Sequence, residues 1–272
     1  MTPRVHVPDL LRPGAALALP PGPSRHLQVL RLQPGADVRL FDGHGGEWTA
    51  TIVRMGRQVV EVELGEHHAV ERELSRRVTL AVGMPANDRM DDLLEKASEL
   101  GVAAIQPLVC ERSVLRLQGE RAERKVAHWQ AVAASASEQC GRNRVASIEP
   151  VRTLVDWLRS LPSPEVAAKS GAAAGEAVGC VAGQAAPECG TAVRAALRGV
   201  LSLREAIPWS QAIALEPVGD CCFLSGPEGG LSEAEESAAR AAGFRAVSLG
   251  PRVLRADTAP LAALAAIALA AA

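Results

Sequence analysis

Aromatic side chains are scarce in this sequence. Phenylalanine, tryptophan and tyrosine make up 3% of the 272 residues, and tyrosine does not occur. Most of the few aromatic residues stand at core-like positions, which leaves little surface on which nucleic-acid bases would stack. The six cysteines form neither a CxxC pair nor a spacing with histidine that suits zinc. We therefore expect reduced thiols, no metal and a cytoplasmic location.

Long hydrophobic runs are also missing. The longest uncharged stretch, residues 258–272, is too short to span a bilayer and is predicted to be a buried helix. No N-terminal stretch resembles an export signal. With 48% hydrophobic and 22% charged residues, the composition is typical of a soluble globular protein of one or two domains without a membrane partner.

Several common site motifs are absent too. No GxGxxG follows a strand, and the motifs GxxxxGK[ST], GxSxG and HExxH do not occur. These absences argue against a dinucleotide-binding Rossmann site, a P-loop, an α/β-hydrolase and a zinc protease.

Turn signals, such as the one at residues 20–22, punctuate the first 72 residues. Between them lie apolar runs typical of strands, at residues 38–41, 48–53 and 59–64. This pattern predicts a small β-barrel over residues 1–72.

Strand and helix patterns alternate over residues 73–272. Strands are predicted at residues 77–82, 104–110, 200–203, 221–224 and 246–249, and helices at 88–100, 120–139 and 232–242. This alternation predicts an α/β fold with a mostly parallel sheet that is covered on both faces. The alanine- and glycine-rich stretch at about 165–198 lacks periodicity and is predicted to be a flexible insertion.

Charge is unevenly distributed although the net charge is only −2. Residues 112–152 contain eight basic and four acidic side chains, whereas residues 205–238 contain seven acidic and no basic ones. A polyanion would be attracted to one face of such a surface. On charge alone, an ordinary solvated helix face explains the pattern equally well.

Two loops each follow a predicted strand and precede a predicted helix. Residues 225–233 read SGPEGGLSE, and their glycines permit positive φ and close approach of backbone amides to a ligand. Ser232 and Glu235 predict a capping box.

The second loop, residues 248–259, places Arg252 and Arg255 among apolar residues, which is costly unless they meet an anion. Because ligands bind at the carboxyl ends of strands in such sheets, we expect the two loops to form one pocket. Taken alone, the first loop is better explained as a plain strand-to-helix turn.

These segments belong to a longer ordered set of motifs. In chain order they are HLQVLR at 26–31, ELGV at 99–102, Pro107 with ERS at 111–113, EQCGRNR at 138–144, GPEGG at 226–230 and LGPRVLR at 249–255. With this set the chain resembles the 16S ribosomal RNA uridine-N3 methyltransferase family of the SPOUT, or trefoil-knot, superfamily. The resemblance covers nearly the whole chain outside the predicted insertion.

The resemblance implies an N-terminal PUA-like RNA-binding β-barrel and a C-terminal SPOUT α/β domain with a deep trefoil knot. It further implies a homodimer that uses S-adenosylmethionine to methylate N3 of a uridine in 16S rRNA of the small ribosomal subunit.

The resemblance also implies roles for individual residues. The donor-binding residues would be Leu203, Gly226, Glu228, Gly229, Gly230, Leu249, Gly250, Arg252, Leu254 and Thr258. Arg255 would lie nearest the target base as the candidate catalytic residue, and the RNA-binding residues would be Arg31, Arg112, Arg142 and Arg144. Asp257 stands where the family usually has glutamate, which leaves the role of this carboxylate open.

Two alternatives remain at this point. One is another knotted rRNA methyltransferase that modifies a ribose 2′-OH or a guanine, against which the EQCGRNR and GPEGG motifs argue. The other is a non-catalytic RNA-binding ribosome-assembly factor, against which the intact glycine loops argue.

The predicted insertion yields a first test. Deleting residues from about 167 to about 197 should leave folding and donor binding intact, because an aperiodic alanine–glycine segment contributes little to a core. Circular dichroism and calorimetric titration with S-adenosylmethionine check this expectation. Loss of either property would make the segment structural.

Overall fold

A computed structural model describes residues 2–8, 11, 12, 14, 16–86, 89–162 and 197–270. Most of the predicted insertion therefore lies outside the described residues. Its last two residues begin a strand, and Leu197 is buried there, so the proposed deletion should end before Leu197. The chain divides into two compact units: Met1–Glu73 with Gln130–Ala146, and Leu74–Trp129 with Ser147–Ala272.

The first unit contains a five-stranded sheet with the order β1-β3-β4-β5-β2. The strands are β1 (Arg4–His6), β2 (Ala16–Ala18), β3 (Asp37–Phe41), β4 (Glu47–Met55) and β5 (Val60–His68). Strand β1 pairs with β3 in parallel, and the other pairs are antiparallel. Alternate residues of the strands, such as Val38, Leu40, Val60 and Val62, point into a buried apolar core.

The three strands predicted for this unit are confirmed, but the turn predicted at residues 20–22 is wrong. Helix α1 (Pro21–Val29) begins there instead. Proline is tolerated in the first turn of a helix because its missing N–H has no intrahelical partner in any case. Leu27 of α1 is fully buried in the core.

The segment with the sequence EQCGRNR is integrated into the first unit. Both oxygens of Glu73 accept hydrogen bonds from the guanidinium of Arg142, whose side chain is only 4% exposed. The side-chain amide of Asn143 donates to the Val70 carbonyl at 2.7 Å and accepts from Arg4 at 2.6 Å. Arg142 is therefore a structural residue of the first unit. Its predicted role as a phosphate contact is corrected, because its side chain is buried against Glu73.

This buried ion pair yields a second test. Replacing Arg142 by methionine should lower the free energy of unfolding of the first unit by about 3 kcal/mol, because it leaves the carboxylate of Glu73 without its partner. Hydrogen exchange of β3, β4 and β5 in urea measures the change.

A matched control is available two residues away. Arg144 pairs with Glu71 at 3.1 Å, but both side chains are nearly half exposed. Arg144→Met should therefore cost less than about 1 kcal/mol. Equal losses in the two variants would contradict the structural role of Arg142.

The second unit contains an eight-stranded sheet in which every pair of strands is parallel. Its order is β11-β13-β10-β12-β6-β7-β8, and β9 also pairs with β7. The strands are β6 (Val78–Gly83), β7 (Ala104–Val109), β8 (Ser147–Ile148), β9 (Arg152–Thr153), β10 (Leu197–Leu201), β11 (Ile207–Pro208), β12 (Cys221–Ser225) and β13 (Arg245–Ser248).

The described residues contain six more helices after the first one. They are α2 (Arg89–Glu99), α3 (Gly119–Cys140), α4 (Leu154–Ser160), α5 (Trp209–Leu215), α6 (Glu233–Ala241) and α7 (Thr258–Ala270). The parallel sheet and the longer helices are confirmed. The sequence analysis missed α4, α5 and the two-residue strands, which are too short to show a period. Of the helices in the described ranges, none is long and apolar enough to cross a membrane.

Strand β12 lies at the centre of this sheet, and all five of its residues are buried. It pairs with β10 on one side and with β6 on the other, and β13 pairs with the far side of β10. The loops that follow β10, β12 and β13 therefore leave the same edge of the sheet, because the strands are parallel.

Candidate active site

Three loops at this edge enclose a cavity of about 340 Å³. The loop after β10 contributes residues 202–204, next to Leu201 at the end of that strand. The rest of the lining comprises Gly226, Gly230 and Leu231 after β12, Leu249 and residues 252–254 after β13, and Arg112, Glu236, Val247 and Ala259. The prediction that the two singled-out loops form one pocket is confirmed. The volume falls in the range of small-molecule sites.

A second cavity, of about 530 Å³, lies beside the first. The two share six lining residues: Leu201, Gly226, Gly230, Val253, Leu254 and Ala259. Arg89, Ser225, Pro227, Glu228, Gly229, Arg255 and Ala256 line the second cavity only.

The predicted donor-binding residues are divided between these cavities. Leu203, Gly226, Gly230, Leu249, Arg252 and Leu254 line the first cavity. Glu228 and Gly229 line the second cavity, together with the predicted catalytic residue Arg255. Gly250 and Thr258 line neither of the two.

The loop after β12 has no room for side chains at two of its glycines. A Cβ atom on Gly226 would lie 2.7 Å from the backbone nitrogen of Leu231 and 2.8 Å from the carbonyl carbon of Gly230. One on Gly229 would lie 3.0 Å from Cβ of Arg112. Gly230 has a φ of +69°, a conformation that side chains rarely adopt. The loop is therefore a tight turn whose backbone forms part of the wall of both cavities.

The predicted capping box at the end of this loop is confirmed. The Ser232 hydroxyl accepts from the Glu235 backbone nitrogen at 3.3 Å, and the Ser232 nitrogen donates to the Glu235 carboxylate at 2.9 Å. The other oxygen of that carboxylate accepts from the Glu111 backbone nitrogen at 2.8 Å. Glu235 thus fixes the loop after β7 against the start of α6.

Arg112 supports the glycine turn from the same side. Its guanidinium Nη1 donates to the Gly229 carbonyl at 2.9 Å. The sequence analysis assigned this residue to RNA, but the structure places it against the turn and in the wall of the first cavity.

Arg252 and Arg255 differ from Arg112, Arg142 and Arg144, which are held by oxygens of the chain. Both side chains are exposed, and neither guanidinium forms an ion pair or hydrogen bond with the residues that the structure describes. Because they remain in contact with water, the desolvation cost considered in the sequence analysis does not arise. They are instead two cations available to an anionic ligand, one at each cavity.

Two features of the second cavity were missed from the sequence. Arg89 comes from the start of α2, and its Nη1 lies 3.5 Å from Oε1 of Glu228. Ser225, the last residue of β12, is buried, and its hydroxyl has no hydrogen-bond partner in the described part of the chain. Arg89 lies outside the two loops that the sequence singled out, and although Ser225 begins the glycine-rich loop, no pattern indicated a role for its hydroxyl.

Two buried cysteines lie in or next to this sheet, Cys110 directly after β7 and Cys222 within β12. Burial raises the pKa of Cys110 to about 12 and that of Cys222 to about 12. Both thiols are therefore protonated at neutral pH and are poor nucleophiles.

The sequence and the fold were compared with known proteins. Residues 72–268 match the RNA methyltransferase domain, and residues 24–65 match the RNA methyltransferase PUA domain. The ribosomal RNA small subunit methyltransferase E of Synechocystis is 31% identical over 240 residues, which cover 88% of this chain and 68% of that protein. The chain belongs to this RNA methyltransferase family.

Two solved structures support the same assignment. The ribosomal RNA small subunit methyltransferase E of Neisseria gonorrhoeae, bound to S-adenosylmethionine, is 36% identical with a TM-score of 0.82, over 98% of this chain and 96% of that one. A Legionella pneumophila methyltransferase in complex with the same cofactor is 30% identical with a TM-score of 0.82, over 99% and 98% of the two chains.

Membership of the RNA methyltransferase family confirms the predicted fold class. The chain combines an N-terminal PUA-like domain with a C-terminal α/β domain of the SPOUT methyltransferase type. The trefoil knot and the homodimer stay predictions.

Proposed function

We propose that this protein transfers a methyl group from S-adenosylmethionine to N3 of a uridine in 16S rRNA of the small ribosomal subunit. One observation carries the proposal: three strand-end loops of an RNA methyltransferase domain enclose a cavity with an unpaired arginine, and a second cavity adjoins it. The relatives named for small-subunit rRNA methylation, one of them holding S-adenosylmethionine, support both the substrate and the donor.

The first cavity fits the donor. A Cβ on Gly230 would meet no atom within 4 Å, so the turn has an open side at this glycine. Leu203, Leu249 and Leu254 supply apolar surface, and the turn supplies backbone polar groups. Arg252 is placed to meet the donor's carboxylate. When bound, S-adenosylmethionine supplies an electrophilic methyl group whose former bonding pair stays on sulfur.

The target base would enter the second cavity, where Arg255 is the unpaired cation. N3 lies on the Watson–Crick edge of uracil, so the base must be unpaired or drawn from its stack. Glycines 226 and 230 line both cavities, so donor and base would lie on either side of one turn.

Of the four arginines predicted to bind RNA, two remain as proposed contacts with rRNA phosphates. Arg31 is exposed at the end of α1, and Arg144 is half exposed, so both remain proposed RNA contacts. With few aromatic residues to stack on bases, we expect recognition of rRNA shape and backbone.

A homodimer, a knotted C-terminal segment and a cytoplasmic location complete the proposal. Three apolar side chains are exposed in this part of the chain: Leu203 and Val253 at the first cavity, and Leu269 on α7. A second copy of the protein would cover such surface.

The donor site yields a third test. Gly226→Ala should weaken the binding of S-adenosylmethionine by at least about tenfold, or about 1.4 kcal/mol. The added methyl meets backbone atoms of Gly230 and Leu231, which cannot move without reshaping the turn. Calorimetric titration measures the affinity. Gly22→Ala is the control, because a Cβ there meets nothing within 4 Å. Equal affinities in the two variants would place the donor elsewhere.

The product is the fourth test. Purified protein with labelled S-adenosylmethionine should place one methyl group on N3 of a uridine in 16S rRNA from a strain that lacks the enzyme. Mass spectrometry of the nucleosides identifies the product, and small-subunit particles should be better substrates than short oligonucleotides. A 2′-O-methyl nucleoside or methylguanosine as sole product would reject the substrate assignment. RNA binding without any turnover would favour an assembly factor.

A further inference from the structure

The second cavity contains more polar chemistry than its glycine turn requires. The charged groups that line it are Glu228, Arg89 from α2 and Arg255 from the loop before α7. Ser225 lines it too, with a buried hydroxyl that has no partner among the described residues. An unpaired buried hydroxyl costs free energy, so it indicates a polar ligand in this cavity.

Glu228 is held in place through one carboxylate oxygen only. Its Oε1 accepts a hydrogen bond from the Ala86 backbone nitrogen at 3.0 Å and lies 3.5 Å from Nη1 of Arg89. Its Oε2 has no such contact with the described residues. About a third of the side chain, 32%, is exposed, and Glu228 lines the second cavity.

These groups complement the Watson–Crick edge of uracil. That edge presents an acceptor, O2, a donor, N3–H, and a second acceptor, O4. The guanidinium groups of Arg89 and Arg255 donate, and the ionised carboxylate of Glu228 accepts. The cavity thus offers two donors and one acceptor to a base with two acceptors and one donor.

We propose that the second cavity receives the target uracil and that Glu228 accepts its N3 proton. This inference rests on the proposed function. The proton moves from N3 to Oε2 of Glu228, and the N–H electron pair stays on N3, where it forms the new bond to the methyl carbon. Arg89 and Arg255 stabilise the negative charge that spreads over O2 and O4, and Glu228 later returns the proton to water.

The assignment changes the role that the family resemblance implied for Glu228. It was grouped with the donor-binding residues, yet it lines the second cavity and not the first. It also makes a prediction about specificity. Cytosine has no N3 proton, and its N3 lone pair would face the carboxylate, so the site should discriminate against cytidine.

The variant that tests this role is Glu228→Gln. The amide oxygen can still accept the Ala86 N–H, so the loop is retained while the proton acceptor is lost. In single-turnover assays with small-subunit particles at pH 7, the rate constant should fall about 100-fold or more. The matched control is Glu120→Gln, the same charge change at an 89% exposed side chain of α3. It should behave like the wild type.

The pH dependence distinguishes a proton acceptor from a merely structural residue. In the wild type, a group of the enzyme takes the proton, so the rate constant should depend little on pH near neutrality. In Glu228→Gln, the proton must leave to solvent, so the rate constant should keep rising by about tenfold per pH unit while N3 stays protonated. A loss of rate that is equal at every pH would overturn the proton-acceptor role.

A binding measurement without the donor supplies an independent readout. Once the methylated uridine is mapped, particles with cytidine at that position are compared with the original particles. The wild type should bind the uridine form about tenfold more tightly, and Glu228→Gln should lose most of this preference because an amide both donates and accepts. An unchanged preference would overturn the proposal.

Arg89→Gln is a second variant that leaves the Glu228–Ala86 hydrogen bond in place. It should lower the rate constant by about tenfold without altering the pH dependence. An unchanged rate constant would remove Arg89 from the site. A wild-type product other than N3-methyluridine would instead reject the proposed function, so the two failures are distinguishable.

Discussion

The geometry of the whole site depends on the absence of space inside one turn. Between Gly226 and Leu231 the backbone folds back so closely that a single methyl group at Gly226 would overlap main-chain atoms. That close return presents Gly230 to both cavities and directs Glu228 into the second. Contacts outside the turn maintain it: Arg112 holds the Gly229 carbonyl, and the capping box starts α6 immediately afterwards. Each of these contacts has a backbone atom as one partner. The shape of the turn therefore depends on its glycines more than on the side chains of its other residues.

The parallel sheet decides which loops meet this turn. Strand β10 lies between β12 and β13 in space although it precedes both in the chain. The loop after β10 therefore enters the same cavity as the loops after β12 and β13. A sheet with these strands in sequence order would have placed β13 beside β12 and moved the loop after β10 away from the centre. The site is thus a product of strand order as much as of any motif.

Local features of the site could be predicted from the sequence, whereas features that depend on distant partners could not. The glycine turn and the capping box involve residues within a few positions of one another, and both are found where the sequence placed them. The role of Arg142 was wrong because its partner, Glu73, lies 69 positions away. The sequence around a basic residue does not show whether that residue will pair with a carboxylate of its own chain or with a phosphate of a ligand.

The same reasoning applies to the charge pattern as a whole. The basic segment at residues 112–152 suggested a face for a polyanion, yet Arg112, Arg116 and Arg152 donate to oxygens of the chain itself. The acidic segment at residues 205–238 likewise contains Glu235, which serves as a cap, and Glu233, which pairs with Arg204. Counting charges along the sequence therefore misjudges what a ligand meets, because a guanidinium held by oxygens of its own chain has fewer N–H donors left for a ligand. The charges available to an anion are the unpaired ones. Among the described residues at this site they are Arg252 and Arg255, which belong to a loop too short to appear as a basic segment of the sequence.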